Sequence, residues 1–177
     1  MSNLTGQRII LTGASGGIGQ ELVKQLFSYD CKLGLVGRSL EGLEKIYGAA
    51  KNTRHISLIE ADITKAEGRE TIIEQMQRDF DGYDMLINTA GIMDFTSFMN
   101  QSDERIEAVF QTNIIAPMQL CKKVLPYMTT QNRGHIVNTG STFGSIGFAW
   151  FTTYSSSKFA LRGFSQALRR ELADTAI

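Results

Sequence analysis

A glycine-rich run follows the first apolar segment of the chain and limits what the chain can fold into. Residues Thr12 to Gly19 read Thr-Gly-Ala-Ser-Gly-Gly-Ile-Gly, after an apolar, β-like stretch at Arg8 to Leu11. Glycine lets a backbone turn sharply, lets a phosphate approach closely and lets a helix pack against the preceding strand. Gly13, Gly17 and Gly19 are spaced for these three tasks, so the run predicts a dinucleotide phosphate loop that opens a helix. The alternative is a strand-to-helix turn with incidental glycines.

Short apolar segments alternate with longer amphipathic ones along the chain. Because nearly continuous apolar strands suit a sheet covered on both faces, and alternating β and α units imply parallel strands, the predicted fold is α/β, a Rossmann-type doubly wound sheet in three layers. No linker or repeat divides the sequence, so residues 1–177 are predicted to be one domain. The predicted strands are Arg8 to Leu11, Lys32 to Val36, Ile56 to Glu60, Met85 to Asn88 and His135 to Thr139. The predicted helices are Ile18 to Tyr29, Leu40 to Ala50, Lys65 to Phe80, Asp103 to Met128 and Tyr154 to Asp174.

Charge and cysteine usage exclude several kinds of partner. The formal net charge is 0 and the charged residues are interspersed, so no basic face is available for nucleic acid. No apolar run approaches the roughly 20 residues needed to cross a bilayer, and a cytoplasmic location is predicted. Cys31 and Cys121 lie far apart and outside any metal-ligand spacing, so they are predicted to be reduced packing residues and no metal is expected.

Pro117 interrupts the predicted helix from Asp103 to Met128. Proline has no N–H to give to the carbonyl four residues earlier, which belongs to Asn113. A kink would free the Asn113 carbonyl to bind a water or a polar side chain. The alternative is a simple helix bend with a solvated carbonyl.

A tyrosine and a lysine lie one helical turn apart near the end of the chain. Tyr154 and Lys158 therefore project from the same face of a helix. Ser141 follows the last predicted strand, and the segment Asn88 to Gly91 follows the strand before it. Because ligands of open α/β sheets bind at the carboxyl ends of strands, these residues are expected to share one sheet edge with the glycine loop.

These motifs together resemble those of the short-chain dehydrogenases/reductases, in the subgroup with a Thr-Gly-x-x-x-Gly-x-Gly loop. The resemblance covers essentially the whole chain and implies an NAD(P)-binding enzyme whose sheet continues through further strands and a substrate-covering segment. The chain is therefore expected to stop short of the family's C-terminal part, leaving the strand His135 to Thr139 as an exposed sheet edge. The matching features, in family order, are the loop Thr12 to Gly19, the Asn-x-Ala-Gly motif Asn88 to Gly91, Asn113, Ser141, Tyr154 and Lys158.

The predicted reaction is hydride transfer between nicotinamide and a carbonyl or secondary alcohol. A phenol with a pKa near 10 is a poor base unless a nearby cation favours its phenolate, and Lys158 supplies that charge. Tyr154 would give a proton to the carbonyl oxygen during reduction and take one during oxidation, while Ser141 would hydrogen-bond the same oxygen. The resemblance implies that Lys158 also holds the nicotinamide ribose and that Asn113 helps hold a water. The alternatives are a strand-end hydroxyl for Ser141 and a packing aromatic for Tyr154.

NADP is predicted as the cofactor in preference to NAD. Gly37 stands where an NAD-preferring protein of this fold has an acidic residue, and the guanidinium of Arg38 could bind a 2′-phosphate. Gly16 stands where NADP-dependent relatives sometimes carry a second basic residue. Asp62, with Ile63 beside it, resembles the family's adenine-contacting residue, or else caps the next element. The predicted cofactor-binding residues are Gly13, Ser15, Gly17, Ile18, Gly19, Arg38, Asp62, Ile63, Asn88, Ala90, Gly91, Tyr154 and Lys158.

The loops beside these motifs are rich in apolar side chains, which predicts an apolar carbonyl or alcohol substrate, although such residues also serve to cover a core. A rival hypothesis is a regulatory or scaffold protein that binds a dinucleotide without turnover. The predicted helices from Asp103 to Met128 and from Tyr154 to Asp174 resemble those by which family members assemble, and a homo-oligomer is expected. The apolar loop residues are Met93, Phe95, Phe143, Ile146, Phe148, Trp150 and Phe151.

Overall fold

The computed structural model describes residues 4–51 and 55–177, which contain a five-stranded parallel sheet. The strands are β1 (Arg8–Thr12), β2 (Lys32–Gly37), β3 (Ile56–Glu60), β4 (Met85–Asn88) and β5 (His135–Asn138). Their order in the sheet is β3-β2-β1-β4-β5. The chain adds β2 and β3 on one side of β1, and then adds β4 and β5 on the other side. The point where the order reverses, between β1 and β4, is where ligands of doubly wound sheets bind. The predicted Rossmann-type α/β fold is confirmed.

In the part of the chain that the structure describes, six α-helices connect and cover the strands, and the first of them is α1 (Gly17–Leu26). α1 is shorter than predicted, because the N–H groups of Ser28 and Tyr29 bond to carbonyls three residues earlier and tighten the last turn. The helices are α1 (Gly17–Leu26), α2 (Leu40–Lys51), α3 (Ala66–Phe80), α4 (Asp103–Phe110), α5 (Ala116–Gln131) and α6 (Thr152–Glu171), with 3₁₀ turns at Phe98–Asn100 and Thr142–Gly144.

The core consists of two apolar layers, one on each face of the sheet. Successive residues of β1 point to opposite faces, so Ile9 and Leu11 belong to one layer and Ile10 to the other. The first layer packs under α1 and α2 and includes Val23 and Leu43. The second layer packs under α3, α5 and α6. Its buried residues include Ile72 and Met76 of α3 and Leu120 and Val124 of α5.

The single helix predicted from Asp103 to Met128 is three elements. A π turn at Gln111–Ile115 separates α4 from α5, and the N–H of Ala116 bonds to the Gln111 carbonyl. The disturbance expected near Pro117 thus takes the form of a wide turn, an arrangement frequently found at functional sites. Asn113 lies inside this turn and is 1% exposed.

β5 forms one edge of the sheet, as expected for the last strand. It pairs with β4 and its residues are exposed or half-buried. Cys31 and Cys121 are both buried, and neither is part of a disulfide among the described residues. Within residues 4–51 and 55–177, no helix is long and apolar enough to cross a membrane.

Candidate active site

The glycine loop connects the carboxyl end of β1 to the N-terminus of α1. Gly13 has φ +71°, and a Cβ there would lie 2.7 Å from the backbone N of Ala90. A Cβ at Gly19 would lie 2.2 Å from the Gly13 carbonyl oxygen, so only glycine allows α1 to pack this closely. At Gly17, by contrast, a Cβ would meet no described atom within 4 Å. The loop therefore combines a sharp turn, tight packing and an open backbone, which is the arrangement a pyrophosphate requires.

A cavity of about 600 Å³ opens at the carboxyl ends of β1 to β4. Ile18 is a predicted cofactor-binding residue that lies outside this cavity. It is on the first turn of α1, between Gly17 and Gly19, and its side chain is exposed. The cavity has the place and size of a dinucleotide site. Its lining includes seven of the predicted residues, namely Gly13, Ser15, Arg38, Asp62, Ile63, Ala90 and Gly91.

Charged side chains of opposite sign, Arg38 and Asp62, line this cavity between β2 and α3. Arg38 is exposed immediately after β2, beside Gly37. Burial disfavours ionisation of Asp62, but hydrogen bonds from the Thr64 side chain and backbone and the charges of Lys65 and Arg38 outweigh it and lower the pKa of Asp62. Oδ1 of Asp62 accepts both Thr64 bonds in the turn before α3. The N-cap of α3 is Lys65, so Asp62 is not the cap of that helix, the alternative considered from the sequence, and it lines the cavity.

Asn88 points away from the cavity. Its Nδ2 donates to Oδ1 of Asn138, 2.9 Å away on β5, and contacts the Cys121 thiol at 3.8 Å. Its own Oδ1 is buried and has no hydrogen-bond partner among the described residues. In this structure Asn88 links β4 to β5, while the following residues Ala90 and Gly91 reach the cavity.

Lys158 is buried beside Tyr154. Its Nζ lies 5.7 Å from the centroid of the Tyr154 ring and donates to the Thr139 carbonyl at 2.9 Å. Burial lowers the pKa of Lys158 from its ordinary value. A Cβ at Gly91 would lie 3.9 Å from this Nζ and 3.3 Å from Oδ1 of Asn113, which places the loop after β4 against both side chains.

The Asn113 side chain clamps the backbone of Ile92. Its Oδ1 accepts from the Ile92 N–H at 2.8 Å, and its Nδ2 donates to the Ile92 carbonyl at 2.9 Å. The second proton of Nδ2 goes to Oγ of Ser157, at 3.1 Å, and that hydroxyl donates to the Tyr154 carbonyl. The π turn, the loop after β4 and the first turn of α6 are thereby joined around Asn113.

Ser141 lies at the other side of Lys158. Both residues line a second cavity of about 280 Å³, between the loop after β5 and α6. The Ser141 hydroxyl oxygen accepts from the Phe143 N–H at 3.2 Å, which fixes its position and leaves its proton available. The structure thus brings together all four predicted catalytic residues, Asn113, Ser141, Tyr154 and Lys158.

Sequence reasoning missed a polar chain that braces the site. Thr153, next to Tyr154, donates to Gln101, whose amide donates to Asp94 at 3.0 Å. Asp94 also pairs with Arg105, 3.2 Å away, and Arg105 lines the larger cavity. Asp94 and Gln101 lie in the loop after β4, Arg105 in α4 and Thr153 in α6, and single polar residues so far apart in sequence carry no periodic signal, so only the folded contacts show this chain.

Comparison with known proteins agrees with this geometry. Residues 7–177 match the family model described as short chain dehydrogenase. The chain is 34% identical over 178 residues to a ketoacyl reductase, HetN, of Nostoc sp., covering 100% of the chain and 62% of that protein. The chain therefore spans somewhat less than two thirds of the length of this relative.

Solved structures show the same fold. A metagenomic short-chain oxidoreductase in complex with NADP has a TM-score of 0.89 and 26% identity, covering 98% of this chain and 78% of that one. A short chain dehydrogenase/reductase from Burkholderia phymatum in complex with NAD has a TM-score of 0.93 and 22% identity, covering 98% and 63%. The fold and the family model define the class: the chain belongs to the short-chain dehydrogenases/reductases, a family of NAD(P)-dependent oxidoreductases acting on hydroxyl and carbonyl groups.

Proposed function

We propose that this protein is an NADP-dependent oxidoreductase that interconverts a carbonyl compound and its secondary alcohol. The observation that carries the proposal is the meeting of two features at one sheet edge: an open glycine loop beside a cavity of about 600 Å³, and a buried lysine against Tyr154. The nicotinamide of a bound cofactor would supply or accept the hydride. Residues 1–177 would form a single nucleotide-binding domain.

The four site residues have distinct proposed roles. Tyr154 is the general acid in reduction and the general base in oxidation. Lys158, buried and close to the tyrosine ring, favours the phenolate by its charge and reaches the cofactor ribose. Ser141 donates its free proton to the substrate oxygen. Asn113 holds Ile92 and the π turn in place, so that the loop after β4 stays against Lys158.

The preference for NADP rests on Arg38 and Gly37. Both line the cavity, and no acidic side chain at the Gly37 position would repel a 2′-phosphate. The neighbouring Asp62 would be balanced by Arg38, which already lowers its pKa together with the hydrogen bonds from Thr64. An NADP complex of a relative with 26% identity supports this choice.

The first test is a fluorescence titration of the chain with NADPH and with NADH. We expect tighter binding of NADPH, and an Arg38→Ala variant that loses roughly ten- to a hundredfold in NADPH affinity with little change for NADH. Arg170→Ala, an exposed arginine at the end of α6, is the matched control. Equal affinities that Arg38→Ala leaves unchanged would contradict the NADP assignment.

Turnover separates the enzyme from a non-catalytic dinucleotide-binding protein. In a screen of carbonyl compounds with NADPH, Tyr154→Phe is expected to abolish reduction while leaving NADPH binding nearly intact, because the phenol oxygen moves the proton. Tight NADPH binding with no reduction of any carbonyl compound would favour the non-catalytic role instead.

We also propose that the protein is a homo-oligomer and that α5 and α6 form the interface. An apolar groove of about 680 Å³ runs between these two helices. Exposed apolar surface of this kind marks interaction sites. The groove is lined by Met118, Leu125, Pro126, Phe164, Leu168 and Leu172, among others.

A further inference from the structure

Five aromatic side chains form one continuous cluster between two loops at the carboxyl end of the sheet. Neighbouring ring centroids in the cluster lie between 4.4 and 5.9 Å apart, as in offset and edge-to-face aromatic pairs. The cluster, here named the aromatic wall, consists of Phe95, Phe143, Phe148, Trp150 and Phe151.

The aromatic wall ends at the proposed catalytic residues. The ring of Phe143 meets the ring of Tyr154 edge to face, with centroids 5.9 Å apart. The backbone N–H of the same phenylalanine donates to the hydroxyl of Ser141. A group held against the wall would therefore lie next to the oxygen that Tyr154 and Ser141 are proposed to contact.

The outer members of the wall are not covering a core. Trp150 is 54% exposed and Phe95 is 64% exposed. Trp150 also has φ +70°, a left-handed conformation that bulky residues rarely adopt. The Thr96 N–H holds this residue by donating to its carbonyl at 3.1 Å, which ties the two loops together. Strain of this kind persists where the surroundings fix a side chain for binding.

The charged side chains beside the wall already have partners within the protein. Asp94, next to Phe95, is already paired with Arg105 and bonded to Gln101 and Thr96. Arg162 lies beside the Phe143 end of the wall and donates to the Gly144 carbonyl and to Oγ of Ser145. A carboxylate or phosphate brought against the wall would lose water and would have to displace such partners to gain a counter-charge. A lipid surface is also a poor match, because interfacial segments carry lysine and arginine around their apolar residues and the wall contains neither.

We infer that the aromatic wall binds a planar, uncharged aromatic or conjugated group attached to the carbonyl carbon of the substrate. The inference rests on the proposed function, since the wall is assigned the substrate side of that site. Aromatic faces and edges favour a flat partner over a saturated one of equal size, and rigid rings lose little freedom on binding.

A matched pair of ketones tests this inference. Acetophenone and cyclohexyl methyl ketone have the same carbon skeleton but differ in the planarity of the ring. Binding is measured by ligand-observed NMR, and the indole N–H resonance of Trp150, the sole tryptophan, reports where the ligand lies. We expect acetophenone to bind roughly three- to tenfold more tightly and to shift the indole resonance.

Two variants and one control locate the effect. Trp150→Gly suits the left-handed backbone and removes the ring, and Phe95→Leu keeps apolar bulk without the ring; each is expected to reduce the preference for acetophenone. Tyr29→Leu, at a 47% exposed aromatic residue beyond α1, should leave the preference unchanged. Equal binding of the two ketones, or an indole resonance that responds to lipid vesicles and not to acetophenone, would overturn the inference.

NADPH titration of the same samples distinguishes the two proposals. Wild-type protein that binds NADPH but does not prefer the planar ketone overturns the aromatic wall inference and leaves the proposed function standing. Selective binding of acetophenone without any binding of NADPH supports the wall as a binding site and counts against the proposed function.

Discussion

Gly17 and Gly19 stand two residues apart in the glycine loop, yet a methyl group added at each would meet different surroundings. At Gly19 it would lie 2.2 Å from the Gly13 carbonyl oxygen, while at Gly17 it would meet no described atom within 4 Å apart from its chain neighbours and its own helix backbone. Packing therefore requires a glycine at position 19. At Gly17 packing does not, and we attribute the glycine there to the ligand proposed for the loop. Substitution can separate stability from binding at this site.

We expect Gly19→Ala to lower the free energy of unfolding by about 2–3 kcal/mol, because α1 must move away from the loop. Gly17→Ala should leave it unchanged or raise it slightly, since alanine is the better helix former, but should weaken NADPH binding by filling the space of a phosphate. Thermal unfolding and fluorescence titration measure the two effects. An equal loss of stability in both variants would refute this division.

At the scale of elements, Ser157 joins three segments that are distant in sequence. It is fully buried, donates to the Tyr154 carbonyl at 2.7 Å and accepts from Asn113, which clamps Ile92. Without the hydroxyl, one N–H of the Asn113 amide would be buried unpaired. The adjacent Ser156 provides a matched control, because it is exposed and bonds only to the Thr152 carbonyl of its own helix among the described contacts.

Ser157→Ala is expected to cost about 1–3 kcal/mol of stability and to speed hydrogen exchange at the Ile92 amide selectively, while also weakening NADPH binding. Ser156→Ala should change stability by less than about 0.5 kcal/mol. Exchange followed by NMR distinguishes local loosening from general destabilisation. Uniformly faster exchange throughout Ser157→Ala would show that the residue is merely a packing residue.

At the scale of the whole molecule, a buried carboxylate fastens the amino ends of the strands. Asp84 accepts from Arg8 through both oxygens and from Arg133 at 2.6 Å, joining the starts of β1, β4 and β5. Arg8 also reaches Tyr127 and Gln131 on α5. Burial alone would raise the pKa of Asp84, but the two arginines outweigh it and lower the pKa to about 2.

This pKa predicts an acid-sensitive fold. Because the pKa is lower in the folded than in the unfolded state, the stabilisation of roughly 2 kcal/mol is fully present above about pH 4 and is lost as the pH falls towards 2. Asp84→Asn should lower the free energy of unfolding by about 3 kcal/mol at neutral pH, because Arg8 loses its counter-charge. The variant's free energy of unfolding should also fall less steeply as the pH is lowered from about 4 to 2. Asp174→Asn, at an exposed position, is the control; a similar curve for both variants would contradict the prediction.

The proposed assembly through α5 and α6 is also a property of the whole molecule. Met118 lies in the groove between these helices and is 41% exposed, so Met118→Glu should leave the fold intact and place a carboxylate in the interface. We expect sedimentation to show a shift towards monomer at micromolar concentration. Met99→Glu, at a 93% exposed position elsewhere, should not shift it, and a wild-type protein that sediments only as monomer would defeat the proposal.

Much of the fold follows from short-range patterns. Strands β3 and β4 begin and end where the apolar runs do, and the other three differ by one residue at the carboxyl end. The glycine loop, Ser141 and the Tyr154 and Lys158 pair could be placed at one edge because strand order and helical spacing are local properties. Helix ends were less predictable, since tightening of a last turn, as after α1, depends on individual hydrogen bonds.

Side-chain direction was decided by the tertiary structure. The sequence marks Asn88 and Asn113 alike as polar residues near strand and helix ends, yet one turns into the sheet and the other clamps Ile92. Three consecutive serines precede Lys158, and only the packed helix shows that Ser157 faces Asn113 while Ser156 faces solvent. Local sequence determines backbone conformation through sterics and apolar period, whereas the partner of a polar group depends on segments brought together from distant parts of the chain.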